Sequence, residues 1–466
     1  LETYDILVIG MGPAGMAVSA MAVSMGLKVL AVEKLKVGGE CLNCGCIPSK
    51  ALLKASQSYY ESSRLGKYGI DQSCSLLSMD PMRVVREKIA SISGKKLMKV
   101  FEKVTLLSGE ASFYDSETIK VGDRFYRGKR IFIATGTEPF IPPIPGLRGL
   151  DFLTNANMFQ LDKIPSSLTI IGGGAIGTEM AQAFSRLGSK VNVVHMDPHL
   201  IPIGDEDGGK LVEKALTEEG VTVRNGIKIE KVERTEEGFR VFAGEEVFDS
   251  EQLLVAAGRS PVLEPLHLDR AGIDFDRKGI IVDRYMRTNV KNVYAVGDCN
   301  GKALLSHAAM HQGMLALMRS MSPFSLPFMN RERYLVPWAV FTDPEVAQVG
   351  LTEKEAKAKG IRFEVVKKDY RSYGRTVADG HPNGFIKVLV GCLGRIYGVT
   401  IVGEGASDLV QEWVLAMQHR KGIVSVMMTQ HPFPSIATIN KMVAEDWMMK
   451  KMQSPVARWL ARFLVR

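Results

Sequence analysis

Cysteine is scarce: the 466 residues hold only 6. That is too few for a disulfide-stapled scaffold, which a chain of this length does not need anyway. Long apolar runs are also missing. No stretch reaches the roughly 18 uncharged residues that a membrane-spanning helix requires. The N-terminal segment lacks a charged region followed by an apolar one, so no secretory signal is read there and the cytoplasm is the expected location. Charge of one sign is not concentrated either. The formal net charge is +8, from 59 Lys and Arg against 51 Asp and Glu. Spread over the chain, that excess gives no basic patch for nucleic acid. The exception is the extreme C-terminus, where Lys and Arg cluster. With 46% hydrophobic and 24% charged residues, the composition is that of an ordinary globular protein of about three domains.

What is abundant is glycine, with 45 residues, and its placement is informative. The apolar run Asp5-Ile6-Leu7-Val8-Ile9 leads into Gly10-Met11-Gly12-Pro13-Ala14-Gly15. A helix-like segment follows, and then the strand-like Lys28-Val29-Leu30-Ala31-Val32 ending at Glu33. Strand, glycine turn, helix, strand and acid in this register predict a dinucleotide site. Gly10 allows the tight turn, Gly12 admits a pyrophosphate to the backbone, and Gly15 lets helix and strand pack closely. The helix N-terminus, with Pro13 and Ala14, favours the phosphates. Glu33 can accept hydrogen bonds from a ribose.

The pattern recurs. Ser167-Leu168-Thr169-Ile170-Ile171 leads into Gly172-Gly173-Gly174-Ala175-Ile176-Gly177, then a helix to about Leu187, then Lys190-Val191-Asn192-Val193-Val194. Gly172, Gly174 and Gly177 take the same three roles, with Ala175 and Ile176 at the helix start. Two units imply two dinucleotides, one held permanently and one exchanging. The second unit ends in His195 rather than an acid. With Asp197 and His199 nearby and no Arg between Lys190 and Asp205, the balance favours NAD(H), with NADP(H) still open. From residue 336 the glycine turns stop. Strand-like runs (336–342, 384–390, 396–402) and helix-like runs (353–359, 406–420, 435–449) then alternate, as in a separate α+β domain.

Three of the cysteines crowd into Gly38-Gly39-Glu40-Cys41-Leu42-Asn43-Cys44-Gly45-Cys46-Ile47-Pro48-Ser49-Lys50. Pro48 suits the first turn of a helix running to about Ser63. Cys41 and Cys46 fall about one helical turn apart near its start, so they could pair, and a helix N-terminus stabilises a thiolate. A dithiol beside a dinucleotide suggests electron relay. Zinc would need a second pair of ligands that the chain lacks, so no metal is assigned. Inert packed cysteines are the plain alternative.

Cys-Leu-Asn-x-Gly-Cys-x-Pro-Ser-Lys resembles the redox-active segment of the class I pyridine nucleotide–disulfide oxidoreductases, among them dihydrolipoamide dehydrogenase, glutathione reductase, mercuric reductase and soluble transhydrogenase. Further segments support the resemblance in order along nearly the whole chain. Ile133-Ala134-Thr135-Gly136-Thr137 is similar to the crossing between the FAD and NAD(P) domains. Ala256-Ala257-Gly258-Arg259-Ser260-Pro261 is similar to the return crossing. Asn292-Val293-Tyr294-Ala295-Val296-Gly297-Asp298 resembles the second FAD motif, followed by Ser306-His307-Ala308-Ala309. Phe341-Thr342-Asp343-Pro344-Glu345 and the residues through Thr352 resemble the opening of the dimerisation domain.

The resemblance implies a homodimeric α/β enzyme with two Rossmann-like domains and an α+β C-terminal domain. The implied divisions are an FAD domain in two parts (1–145 and 263–335), an inserted NAD(P) domain (146–262), an interface domain (336–453) and a tail (454–466). It places FAD against Gly10, Gly12, Pro13, Ala14, Gly15, Glu33, Gly39, Glu40, Cys41, Lys50, Thr135, Gly136, Gly297 and Asp298. It places the nicotinamide nucleotide against Gly172, Gly174, Ala175, Ile176, Gly177, His195 and Gly258. Cys46 matches the cysteine against the flavin, Cys41 the one that meets substrate, Lys50 the lysine near flavin N5, and Glu179 its ion-pair partner.

The substrate end departs from the pattern. Most disulfide-handling members carry His-Pro-x-x-x-Glu near the C-terminus, the His serving as acid and base for thiol exchange. Here the stretch reads Phe433-Pro434-Ser435-Ile436-Ala437-Thr438. An imidazole base contributes typically 10²–10⁴-fold, so its loss should slow dithiol oxidation unless His431 substitutes. Phe-Pro resembles mercuric reductase, yet the C-terminal cysteine pair and metal-binding module of that enzyme are absent. Cys44 stands where members have an apolar residue and could join exchange or simply pack. Cys74, Cys299 and Cys392 read as ordinary thiols. In the tail, Ser454-Pro455 reads as a helix start, with Val456, Trp459, Leu460, Phe463 and Leu464 on one face and Arg458, Arg462 and Arg466 on another. Such a helix suits a dimer, a partner protein or an anionic membrane surface, where the enzyme would be peripheral. Three functions follow: oxidoreduction of a dithiol, disulfide or sulfur substrate in the manner of dihydrolipoamide dehydrogenase; NAD(P)H-dependent reduction of a quinone or metal ion at a membrane; or service as a flavoprotein subunit of a larger complex.

Overall fold

The computed structural model describes residues 2–70, 80–92 and 98–464. Cys74 and Arg466 lie outside the described residues. The Ile6-Leu7-Val8 run is fully buried, as expected of a strand covered on both faces in a parallel sheet. Strand Glu2–Ile9 pairs in parallel with Val29–Glu33 on one side and Arg124–Ile133 on the other. Thr105–Ser108 extends one flank, while Thr118–Val121 and Ala111–Phe113 extend the other in antiparallel fashion. The seventh strand, Val293–Ala295, also joins Arg124–Ile133 in parallel, with Ala295 opposite Ile133. The chain thus leaves this sheet after residue 133 and returns to it some 160 residues later. Ile9, Glu33, Ile133 and Ala295 end at one edge, the place where open α/β sheets bind ligands.

The excursion builds a second parallel sheet in the spatial order Thr222–Arg224, Lys190–Val194, Ser167–Ile171, Gln252–Val255. An antiparallel meander, Ile229–Thr235, Gly238–Ala243 and Glu246–Ser250, covers it. The two crossings pair with each other, Thr137–Pro139 running antiparallel to Arg259–Pro261. The C-terminal part is a five-stranded antiparallel sheet, Trp338–Val340, Val346–Gly350, Ile396–Val402, Phe385–Val390 and Glu364–Asp369. Helices Ala406–Gln418, Ile423–Met428 and Thr438–Met452 pack on it around buried Trp413. Lys387 joins this sheet to the second one, its ammonium 2.9 Å from Asp205 and 2.9 Å from Glu353. No described helix is long and apolar enough to cross a membrane.

Several local expectations shift. The cysteine segment holds two helices, Gly39–Asn43 and Cys46–Ser62, so Cys41 and Cys46 lie on different helices rather than one turn apart on a single one. Gly45 between them has no room for a side chain, because a Cβ there would sit 2.9 Å from the Glu40 carbonyl oxygen. The strand expected at 336–342 shortens to Trp338–Val340. The last helix of the α+β part starts at Thr438, because Pro432–Ser435 and Ser435–Thr438 close successive turns ahead of it.

Candidate functional site

The edges of the two parallel sheets and the cysteine helices enclose one cleft of ≈ 2940 Å³, ample for two dinucleotides. Gly10 sits at its floor with φ +98°, and a Cβ there would meet the Ala134 carbonyl oxygen at 2.4 Å. Gly12 begins helix Pro13–Ser24, whose free N–H groups open into the cleft. The Glu33 carboxylate accepts from the Met11 amide at 2.7 Å and from the Leu35 amide at 2.8 Å, which fixes it at the cleft wall. Asp298 lies opposite, and burial pushes its carboxyl up despite the neighbouring Arg259. Glycine cradle, anchored carboxylate and buried acid fit a flavin dinucleotide on this side.

The second cradle repeats the geometry. A Cβ on Gly172 would meet the Ala256 carbonyl oxygen at 2.4 Å, while one on Gly174 would meet nothing. His195 occupies the place of the acid and copies its anchoring. Its Nδ1 accepts from the Gly173 amide at 3.0 Å, as Glu33 does from Met11. Nε2 therefore carries the ring proton and points toward Asp197 Oδ2 at 3.4 Å without a hydrogen bond. Burial lowers the His195 pKa, which keeps the ring neutral. An orphaned donor in an open-backed cradle fits the ribose of a second nucleotide.

Between the cradles sits the thiol cluster. Cys41, Cys44 and Cys46 are all free thiols. Cys46 opens helix Cys46–Ser62, faces the cleft, and has its Sγ 3.3 Å from Ser306 Oγ. The Cys41 thiol, the Ser306 hydroxyl and the Lys50 ammonium together bring the Cys46 thiol down to about 6, against the cost of burial. Cys41 moves the opposite way, because it is the proton donor of the pair. Cys44 packs against the apolar core and burial pushes it up to about 11, so it stays protonated. Cys299 is wholly buried and donates to the Ile133 and Val296 carbonyls, whereas Cys392 is on the surface. Among the described residues, no group of three or more His, Cys, Asp or Glu side chains converges on a metal position.

Lys50, one helical turn beyond Cys46, meets Glu179 from helix Ala175–Arg186 at 2.9 and 3.0 Å, a bidentate pair across the two nucleotide cradles. Glu179 is buried, and its Oε1 also accepts from the Phe341 amide at 3.0 Å. The Phe341 ring lies under the Lys50 ammonium at 4.3 Å. One carboxylate thus ties all three sheets together at the cleft.

Sequence reasoning gave Ser306, Phe341 and Arg259 no role. Arg259 bonds Glu40 and the Thr137 hydroxyl and carbonyl, locking the crossing pair beside Asp298. All three lie inside segments whose pattern is legible. Their function is not, because it depends on bonded partners 122 or more positions away in the chain.

The substrate end is built differently. Phe433 is 80% exposed. His431 turns inward: Nε2 meets Glu412 Oε2 at 3.0 Å and Nδ1 donates to the Thr429 carbonyl at 3.1 Å. Asn440 donates to the same Glu412 oxygen at 2.9 Å. Both His431 nitrogens are therefore engaged within the protomer. The Thr438 hydroxyl bonds the Pro432 carbonyl and the Ser435 hydroxyl.

The sequence matches the family model described as pyridine nucleotide-disulphide oxidoreductase over residues 4–313, and the family's dimerisation domain over residues 336–443. A dihydrolipoyl dehydrogenase of Thermus scotoductus is 36% identical over 94% of this chain and 96% of its own. A mercuric reductase of Lysinibacillus sphaericus is 32% identical over 95% of this chain and 82% of its own. The copper(II) complex of the HOCl-induced flavoprotein disulfide reductase RclA of Escherichia coli superposes with a TM-score of 0.86 at 23% identity, covering 96% of this chain and 99% of that one, a likeness of fold. The dimerisation domain supports a homodimer. The chain belongs to the pyridine nucleotide–disulphide oxidoreductases, FAD-dependent enzymes that exchange electrons with NAD(P)H.

Proposed function

We propose that Cys41 and Cys46 are the redox-active pair, and that the chain passes electrons through them between NAD(P)H and a dithiol/disulfide couple or other sulfur substrate. The observation that carries this reading is the split between the two thiols. Cys46 is held toward its thiolate by Cys41, Ser306 and Lys50, while Cys41 keeps its proton. A pair in that state has one sulfur ready to face an electron-poor ring and one ready to exchange with substrate. The bound flavin would accept the nicotinamide's electron pair on one face and exchange it with the cysteines on the other. The balance is two electrons: NAD(P)H and one proton consumed, one S–S bond broken, two thiols formed.

Each remaining residue has a task that the geometry supports. Glu179 neutralises Lys50 and aims it into the cleft, so that a positive charge stands where a reduced ring would gather negative charge. Gly10, Gly12, Pro13, Ala14, Gly15 and Glu33 hold the diphosphate and ribose of FAD. Gly39, Glu40, Thr135, Gly136, Gly297 and Asp298 line its remaining length. Gly172, Gly174, Ala175, Ile176, Gly177 and Gly258 line the second cradle. There the Asp197 carboxylate beside His195 disfavours a 2′-phosphate, which points to NAD(H). Cys44 is a packing residue, and His431 holds the Glu412–Asn440 network rather than serving as a base.

With no imidazole at position 433, the favoured substrate is one whose sulfur is already anionic near neutral pH and needs no proton removed. Anaerobic mixing of the oxidised holoenzyme with dihydrolipoamide and with a persulfide separates the cases. The proposal expects slow flavin reduction by dihydrolipoamide below pH 7 and faster reduction by the persulfide. Reduction by NADH with none from any thiol species would overturn it. That outcome would favour a quinone or metal ion as acceptor, a second reading that draws on the exposed tail.

A further inference from the structure

Residues 447–466 contain no Asp or Glu, but they contain Lys450, Lys451, Arg458, Arg462 and Arg466. Ser454 caps the helix Pro455–Leu464, its Oγ accepting from the Ala457 amide at 3.3 Å. At 100° per residue, Trp459, Phe463, Val456, Leu460 and Leu464 span an arc of about 140°, with Arg458 and Arg462 on the opposite side. Among the described residues of its own protomer, the apolar arc stays largely uncovered. Val456 is 75% exposed and Trp459 65%. The Trp459 and Phe463 rings stack only on each other, 5.8 Å apart. In the preceding helix, Met449 and Met452 are exposed as well. Glu364 neutralises Lys451 at 2.6 Å and reaches Lys450 at 3.8 Å, but among the described residues no carboxylate pairs with Arg458 or Arg462.

We propose that this helix docks the enzyme on an anionic lipid surface, lying in the interface plane with Trp459 and Phe463 inserted. Three features favour lipid over a protein groove. The apolar arc carries no polar group other than the indole N–H, so it has nothing with which to fix a register on a partner. The aromatic and aliphatic mixture suits the boundary between headgroups and acyl chains. The unpaired cations without a nearby acid complement a surface of one negative sign, not the mixed signs of a protein. One ten-residue helix binds weakly, but a homodimer carries two, and the second engages at high effective concentration. This assignment does not depend on which electron acceptor the enzyme serves.

Flotation of the FAD-loaded full-length enzyme tests it, with vesicles of phosphatidylcholine alone and of phosphatidylcholine with 30% phosphatidylglycerol. The expected result is at least tenfold more protein floating with the anionic vesicles, reversed by 0.5 M salt. Two double variants, W459A with F463A and R458E with R462E, each lose at least tenfold, while NADH-driven dye reduction is unchanged. Brominated lipid quenches emission of the wild type and not of W459F, which separates insertion from adsorption. Equal flotation with both vesicle types, or retention in both double variants, overturns the proposal. So does a tail deletion that converts dimer to monomer without flotation of the intact enzyme, which would make the arc a contact between copies.

Discussion

Replacing Ser306 with Ala removes the hydroxyl that lies 3.3 Å from the Cys46 sulfur. A hydrogen bond to a charged group is worth about 1.5–3 kcal/mol. Cys46 faces the cleft, so screening keeps the value near the bottom of that range. At 1.36 kcal/mol per unit, the thiol should rise by about one unit. Starting from about 6, the midpoint moves to about 7. The direction follows from the charge: losing a donor to the thiolate favours the neutral thiol. At pH 7 the thiolate fraction falls from about 90% to about 50%. The assay is a pH titration of the reduced holoenzyme, reading the long-wavelength absorbance of the thiolate beside the flavin and, in parallel, peptide-resolved alkylation at Cys46. Ser306→Thr, which keeps the hydroxyl, should titrate like the wild type. A midpoint that moves by less than about 0.3 unit in the Ala variant refutes the role given to Ser306.

Glu179→Gln leaves Lys50 without its bidentate partner; flavin reduction by NADH should slow about tenfold, roughly 1.4 kcal/mol, in stopped-flow traces of protein that still binds FAD. Phe433→His restores an imidazole where the ring is 80% exposed; without an orienting Glu at position 438 it should raise dihydrolipoamide turnover toward the low end of the usual 10²–10⁴-fold, about 100-fold or less, and Thr438→Glu should add to it. Asp197→Arg exchanges the carboxylate 3.4 Å from His195 Nε2 for a cation; steady-state kinetics should show the NADPH/NADH ratio of kcat/KM rising at least about tenfold.

The two nucleotide cradles were readable because glycine at a tight turn is a local necessity. Gly10 and Gly172 each face a carbonyl oxygen 2.4 Å from where a Cβ would be, and no other residue tolerates that. The parallel strands were readable for a similar reason, since burial on both faces leaves continuous apolar runs. The meander over the second sheet was not, because half-exposed antiparallel strands such as Ile229–Thr235 alternate too briefly to stand out. The strands Val346–Gly350 and Glu364–Asp369 are equally hard to read from pattern. Cys41 and Cys46 were placed in the right segment but on one helix, because a residue count cannot show the Gly45 break. The tail helix needed only its cap and its 3.6-residue spacing. What covers its face lies beyond pattern.

The flavin side of the cleft and the segment around Phe433 follow different logics. On the flavin side of the proposed site, Glu33 and Asp298 would accept from cofactor hydroxyls and Lys50, neutralised by Glu179, would face the ring, so residue type nearly dictates role. Around Phe433, residue type misleads. His431 sits two positions from where a base would be useful, and sequence alone leaves it a candidate. Its ring nitrogens are committed to Glu412 and Thr429, and Asn440 holds the same carboxylate while accepting the Trp413 indole N–H at 2.8 Å. Freeing His431 would leave the Glu412 carboxylate with the Asn440 amide and forfeit a hydrogen bond to a charged group, at a cost of about 1.5–3 kcal/mol. That cost opposes any swing of His431 into the role of a base. On the proposed reading, a thiol pair poised for electron relay meets an exchange segment without a free imidazole, and a substrate arriving already deprotonated would reconcile them.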